Sequence, residues 1–264
     1  METHGGSFGT GEMEIAIRLD KVVKRFGAQT VLKGIDLEIE KGRVTVIIGR
    51  SGGGKSVLLR HLLGLIKPDE GQIYFGDRDI TRMTDVETIE HLKTIGMLFQ
   101  NAALFDSMTV LENVAFPLIE HRKMKMKEAR SLVEETLESV GLTGVLQKYP
   151  SQLSGGMQKR VGLARAIILQ PEILFYDEPT TGLDPIMTAV VDELIRETQQ
   201  RHGHTAVVIS HDMRATMRIA HHIAMLYEGG FIFYGTPEEL QRSQDPRVVQ
   251  FLEGRAAEPA PPAP

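Results

Sequence analysis

Apolar and polar residues alternate along EIAIRLDKVVKRFG (14–27) and again along LKGIDLEIEKG (32–42), the period of two expected of half-buried strands. The pattern then changes. VTVII (44–48), EILFY (172–176) and TAVVIS (205–210) are unbroken apolar runs, which predict strands covered on both faces. Between such runs the period lengthens. KSVLLRHLLGLI (55–66) spaces Leu58, Leu59, Leu62, Leu63 and Ile66 as one helical face, with Pro68 predicted to end the helix. KEARSLVEETLESV (127–140) does the same with Ala129, Leu132, Val133, Thr136, Leu137 and Val140. IAMLYEGGFIFYG (223–235) reads as a hairpin turning at Gly229 and Gly230. TPEEL (236–240) opens a helix, with Thr236 and Glu239 as a capping box and Pro237 at its first position.

Strands alternating with helices predict an α/β protein around a parallel sheet, with antiparallel strands at the start. The stretch from about 101 to 170 reads as a helix-rich insertion. Residues 1–12 are glycine-rich and AAEPAPPAP (256–264) is an alanine–proline tail; both are expected to be disordered.

Composition narrows this picture only a little. A chain of 264 residues with 42% hydrophobic and 25% charged content suits a soluble globular protein. The formal charge of -5 argues against a nonspecific nucleic-acid binder. Zero cysteines exclude disulfides and thiolate metal sites, in keeping with a reducing cytoplasm. No apolar run is long enough to span a bilayer, and the amino terminus lacks the apolar centre of a signal peptide. The chain is therefore expected to serve a membrane, if at all, as a docked subunit.

The chemistry begins at GRSGGGKS (49–56), which fits G-x-x-x-x-G-K-[ST] between a buried strand and an amphipathic helix. Gly49, Arg50, Ser51, Gly52, Gly53 and Gly54 are expected to wrap a phosphate with backbone amides, and the helix start of Lys55, Ser56 and Val57 adds its dipole. Lys55 would reach the β/γ-phosphates and Ser56 would bind Mg²⁺. ILFYDEP (173–179) delivers Asp177 to a strand's carboxyl end as a second Mg²⁺ ligand, with Glu178 beside it as general base. VVISHD (207–212) places His211 at a third such end. No guanine-reading NKxD motif is present, which disfavours a GTPase. A small-molecule kinase fits the P-loop but leaves LSGGMQKR (153–160), a second glycine-bearing helix start, unexplained.

These motifs, with Gln100 in LFQ and GLDP (182–185), occur in one order over roughly 14–240. In that order they resemble the ATPase subunits of ATP-binding-cassette (ABC) transporters. The resemblance implies a P-loop NTPase fold with an N-terminal antiparallel β subdomain and a helical insertion subdomain. The ATPase domain would cover 13–240, with its core at 13–99 and 161–240 and the helical part at about 100–160. Residues 241–264 would form a C-terminal segment. The resemblance also implies a head-to-tail homodimer with two ATP and Mg²⁺ at its interface. Ser154, Gly155, Gly156 and Gln158 of one copy would meet the nucleotide held by the other. Gln100 would contact Mg²⁺ and the attacking water, His211 the γ-phosphate, and Asp184 the dimer interface. Phe26 stands where the family stacks an aromatic, usually tyrosine, on adenine; ordinary core packing is the other reading.

Finer features resemble the Mla/MCE-type lipid transport systems: GRSGGGKSVLLRHLLGL, MLFQNAALFDSMTVLENVAFPLIEH, DEPTTGLDP and DPRVVQFLEG. That resemblance implies a separate permease, an MCE-domain lipid-binding protein and, often in such systems, a small STAS-domain subunit. The chain would sit at the cytoplasmic face of the inner membrane and drive phospholipid traffic, with another cargo as the competing reading. It also implies that 241–254 helps to hold the dimer. HRKMKMKEAR (121–130) is basic, either as a solvated helix start or as a contact with permease or lipid headgroups. HGH (202–204) and HH (221–222) lack further ligands at metal spacing.

Overall fold

The computed structural model describes residues 14–254, so the expected disorder at 1–12 and 256–264 lies outside the described residues. The chain opens with two long antiparallel strands, β1 (Ile15–Phe26) and β2 (Gln29–Glu40). With β4 (Glu70–Phe75) and β5 (Arg78–Asp79) they form an antiparallel sheet in the order β2-β1-β4-β5. The second sheet holds β3 (Val44–Gly49), β6 (Ile95–Leu98), β7 (Ile173–Asp177), β8 (Thr205–Ile209), β9 (His222–Tyr227) and β10 (Gly230–Gly235). Its order is β10-β9-β3-β8-β7-β6. The five strands from β9 to β6 run parallel, and β10 closes one edge antiparallel.

Two cores explain the unbroken apolar runs. Val44, Val46 and Ile48 of β3, with Leu174 and Tyr176 of β7, face one core. Ile47 of β3, with Ile173 and Phe175 of β7, faces the other. Side chains alternate across a strand, so covering both faces demands apolar residues at every position. The first core is shared with α3 (Val110–Arg122), α4 (Met126–Ser139), α5 (Gly155–Ile167) and α6 (Pro185–His202). The second lies under the antiparallel sheet and α1 (Lys55–Leu62). A short α2 (Asp85–Leu92) precedes β6, α7 (Met213–Ile219) follows β8, and α8 (Pro237–Gln241) and α9 (Pro246–Leu252) end the described chain. No described helix is long and apolar enough to cross a membrane.

Local expectations met two corrections. Helix α1 stops at Leu62, well before Pro68; Gly64 at φ 69° takes the left-handed position, and the Leu65 amide turns back to the Arg60 carbonyl at 2.9 Å. The hairpin turns one residue earlier than its glycine pair suggests. Tyr227 pairs with Gly230, so Glu228 (φ 47°) and Gly229 (φ 85°) are the turn, both with the positive φ of a type I′ connection. On α4, Ala129, Val133 and Leu137 are buried as the stripe predicted, while Leu132 is exposed. The capping box of Thr236 and Glu239 is present.

Candidate active site at the carboxyl edge of the sheet

Four neighbouring strands, β3, β8, β7 and β6, end side by side. Gly49 closes β3, His211 follows β8, Asp177 closes β7, and Gln100 follows β6. Residues far apart in sequence thereby share one edge, the edge at which open α/β sheets bind ligands.

The P-loop is built for close approach. Gly49 has φ 153°, and a Cβ there would lie 2.2 Å from the Leu226 carbonyl oxygen on β9. Gly54, at φ 102°, caps α1 without a side chain, leaving the helix's first amides free to face a ligand. The Lys55 ammonium lies across the loop and donates to the carbonyls of Gly49 (2.7 Å) and Arg50 (3.1 Å). Burial pulls its pKa below the usual lysine range, against the opposing charges of Glu178 and Asp177. Ser51, Gly52 and Ser56 are exposed around the loop, Gly53 and Val57 half-buried. The Gly53 amide donates to the Arg50 carbonyl at 3.0 Å.

Asp177 has its carboxyl pKa raised, first by burial and then by the charge of Glu178, with Lys159 and Lys55 opposing. Glu178 adopts φ 48°, a conformation that a residue with this side chain rarely takes. Its amide donates to the Ile209 carbonyl at 2.9 Å, so the strained residue is pinned to β8. Its carboxylate meets His211 Nδ1 at 2.5 Å and accepts from the Thr181 hydroxyl at 3.2 Å. A cavity of about 490 Å³ opens beside the loop, walled by Gly49, Arg50, Ser51 and His211, with Arg247 and Phe251 of α9 on its far side.

Phe26 ends β1 and is 49% exposed, so it is not a core residue. The Lys24 ammonium lies 5.6 Å from its ring centre and also pairs with Asp69 at 3.2 Å. Asp69 accepts the Arg25 amide as well, at 2.5 Å, which fixes the strand end that presents the ring.

The second glycine turn lies elsewhere. Ser154 caps α5, accepting the Met157 amide at 3.4 Å, and Ser154 and Gly155 are exposed. Gly156 abuts Met187, and the nearest atom to a Cβ on Gly155 would be Leu183 Cδ2 at 3.8 Å. None of these three residues lines the cavity beside the P-loop. Gln158 braces the preceding loop, its amide donating to the Pro150 carbonyl at 2.9 Å. Asp184 caps α6, accepting the amides of Ile186 (2.9 Å) and Met187 (3.0 Å).

Two residues that brace the loop beside the site escaped the sequence reading. Lys159 is only 6% exposed and donates to the Gln100 carbonyl; burial lowers its pKa, against the charges of Asp177 and Glu178. Asn113, wholly buried on α3, donates to the carbonyls of Phe105, Met108 and Thr109 and accepts the Phe105 amide, which orders the chain after Gln100. The lysine lay within a motif read for its glycines; a polar residue inside an apolar helix stripe was the available signal for the asparagine.

A P-loop at the edge of a parallel sheet, faced by an Asp–Glu pair, defines a nucleotide-binding ATPase. The family model described as "ABC transporter" matches residues 32–181, and the chain belongs to that family. It is 42% identical over 235 residues to the intermembrane phospholipid transport system ATP-binding protein MlaF of Escherichia coli K12, covering 89% of this chain and 87% of that one. It is 40% identical over 254 residues to a "probable ribonucleotide transport ATP-binding protein mkl" of Mycobacterium leprae, covering 96% and 73%. Among solved structures, the dimeric post-hydrolysis ATP-binding cassette MJ0796 bound to ADP and Pi superposes with a TM-score of 0.76 at 32% identity, covering 83% of this chain and 98% of that one.

Proposed function

We propose that this chain is the ATP-hydrolysing subunit of a membrane lipid transporter, and that two copies close head to tail over two ATP molecules. The observation that carries the hydrolytic part is the shared edge on which Lys55, Asp177, Glu178 and His211 converge. In this reading the amides of residues 49–57 and the Lys55 ammonium hold the phosphates, and Phe26 stacks on adenine with its exposed face. Glu178, oriented by His211 and Thr181, takes the proton of the attacking water. The imidazole of His211 can then turn its other nitrogen to the γ-phosphate.

Ser56, Gln100 and Asp177 offer only oxygen donors, the chemistry that suits Mg²⁺. Among the described residues no three His, Asp or Glu side chains group to hold a metal alone, so phosphate and water would complete the shell. When bound, the ion neutralises charge on the transferred phosphoryl group.

The two-copy arrangement is supported by the signature turn. Ser154, Gly155 and Gly156 present a helix start away from the chain's own P-loop cavity, and Gly155 is small where nothing inside the chain requires it. Asp184 would lie at the same interface. Mixing a Ser154→Arg chain with a Glu178→Gln chain tests this. Hydrolysis that neither variant shows alone should return, because one composite site per mixed dimer is intact. A mixture no more active than its parts would refute sharing.

The lipid reading follows the MlaF relative and implies a permease, an MCE-domain lipid carrier, a STAS-domain subunit, and a place at the cytoplasmic face of the inner membrane. The name of the mycobacterial relative favours a second reading, transport of another cargo. Extraction of a fluorescent phospholipid from vesicles by the purified transporter, dependent on ATP and lost in Glu178→Gln, decides between them.

A further inference from the structure

Helix α5 begins at the signature turn and runs back beneath the chain that leaves β6. Lys159, Gly162 and Arg165 follow one another at three residues and Ala166 stands four after Gly162, which places them on a single helical face. The Lys159 ammonium donates to the Gln100 carbonyl. Arg165 opens its fork across the next residues, donating to the carbonyls of Ala102 (2.7 Å) and Ala103 (2.8 Å). Between the two cations the helix and the loop are in van der Waals contact: a Cβ on Gly162 would meet Ala102 Cβ at 3.1 Å and Leu98 Cδ1 at 3.0 Å. One step earlier on β6, a Cβ on Gly96 would lie 2.6 Å from the Ala166 carbonyl oxygen.

The gripped loop is not relaxed. Ala102 (φ 57°) and Ala103 (φ 47°) both hold left-handed conformations, which alanine avoids. The buried Lys159 and the half-buried Arg165 both end on main-chain carbonyls rather than on carboxylates. Side chains bonded in this way hold backbone position, and charge-assisted bonds in a low-dielectric setting are the strong ones.

The geometry points to a clamp: Lys159 and Arg165 are positioning residues that make the Gln100 loop and the signature helix of one chain move as a unit. The state of the nucleotide on a chain's own P-loop thereby sets how that chain offers Ser154, Gly155 and Gly156 to the second copy. This inference rests on the two-copy ATPase reading. It adds the residues that join the two half-sites within one chain.

The test uses the full-length chain carrying Glu178→Gln, so that bound ATP is retained. Monomer affinity is read with a fluorescent ATP analogue and association by sedimentation over an ATP titration with Mg²⁺. Lys159→Met and Arg165→Met should bind nucleotide as monomers within about twofold of the parent. They should need about tenfold more ATP, or more, to associate, the loss expected for a charge-assisted bond. Arg165→Lys, which keeps one donor, should fall between, and Lys159→Gln guards against a variant that fails to fold. Association of the Lys159→Met/Arg165→Met chain at the parent's ATP concentration would overturn the clamp. So would a loss of monomer affinity equal to the loss of association, since the residues would then serve the P-loop or the fold. A parent that binds ATP without associating would overturn the two-copy reading, and the clamp with it.

Discussion

Two helices of this molecule start on glycine, and they are finished to different degrees. At the start of α1 every glycine that matters is demanded from inside: Gly49 by the Leu226 carbonyl and Gly54 by its φ of 102°. A buried lysine is already turned into the loop. At the start of α5, neither Gly155 nor Gly156 has a positive φ. A Cβ on Gly156 would meet Met187 Cε at 2.2 Å, but one on Gly155 would make only ordinary contact with Leu183 Cδ2 at 3.8 Å. The first cations of α5 are engaged within the chain: Lys159 donates to the Gln100 carbonyl and Arg160 to the Gly141 carbonyl. The first turn is shaped by its own chain, and Gly155 of the second is not. A glycine explained by its own fold speaks of structure, and one that is not speaks of a visitor.

The largest effect expected is at Glu178. Glu178→Gln should cut phosphate release by roughly 10²–10⁴-fold, the span for a positioned general base, while ATP binding persists. Retained turnover would move the base elsewhere and leave the first site without its chemistry.

The glycines break the comparison most directly. Gly49→Ala should cost several kcal/mol, on the order of 3 or more, read as a fall in denaturant midpoint, because backbone must move. Gly155→Leu should leave the midpoint within about 1 kcal/mol, since leucine favours the helix, yet abolish ATP-driven association. Equal destabilisation by both would erase the distinction.

Acid should act through buried histidines. His204, ahead of β8, is held down to about 4 by burial and then by the charge of His202; His61 on α1 is also lowered by burial. A histidine with a depressed folded pKa stabilises above its ordinary value of 6.5, and that stability drains as pH falls towards 4. Through His204, unfolding free energy should therefore drop by about 3 kcal/mol over that window. His204→Phe should flatten the slope; an unchanged slope would put the acid sensitivity elsewhere.

The smallest effect is at Tyr176, wholly buried beside Asp177 with no hydrogen-bond partner for its hydroxyl. Tyr176→Phe should be neutral or stabilising by up to about 1 kcal/mol in the same denaturant titration.

The strands and loops of the first site were legible because two-sided burial and phosphate binding each restrict residue type at fixed spacing. What stayed hidden had no such restriction. Helix α2 buries only His91 and exposes Val86 and Ile89, so no apolar stripe announces it, although Thr84 and Glu87 form a capping box that could have been read. Strand β6 has only four residues and alternates no more than chance allows. The stop at Gly64 was masked by the louder Pro68, and the hairpin by a glycine pair of which only Gly229 takes the turn. Lys159 could not be told from a solvated lysine, because burial of a long cation depends on which loop the helix lies beneath.

The left-handed backbone of Glu178 constrains what could ever stand there. Asparagine and aspartate accept that conformation most readily, glycine more readily still, yet none of them carries a carboxylate as far as His211 Nδ1. A stability screen blind to catalysis would therefore drift towards these shorter residues at this position. With Glu178 as the proposed base, each would leave a calmer backbone and no group placed to take the proton.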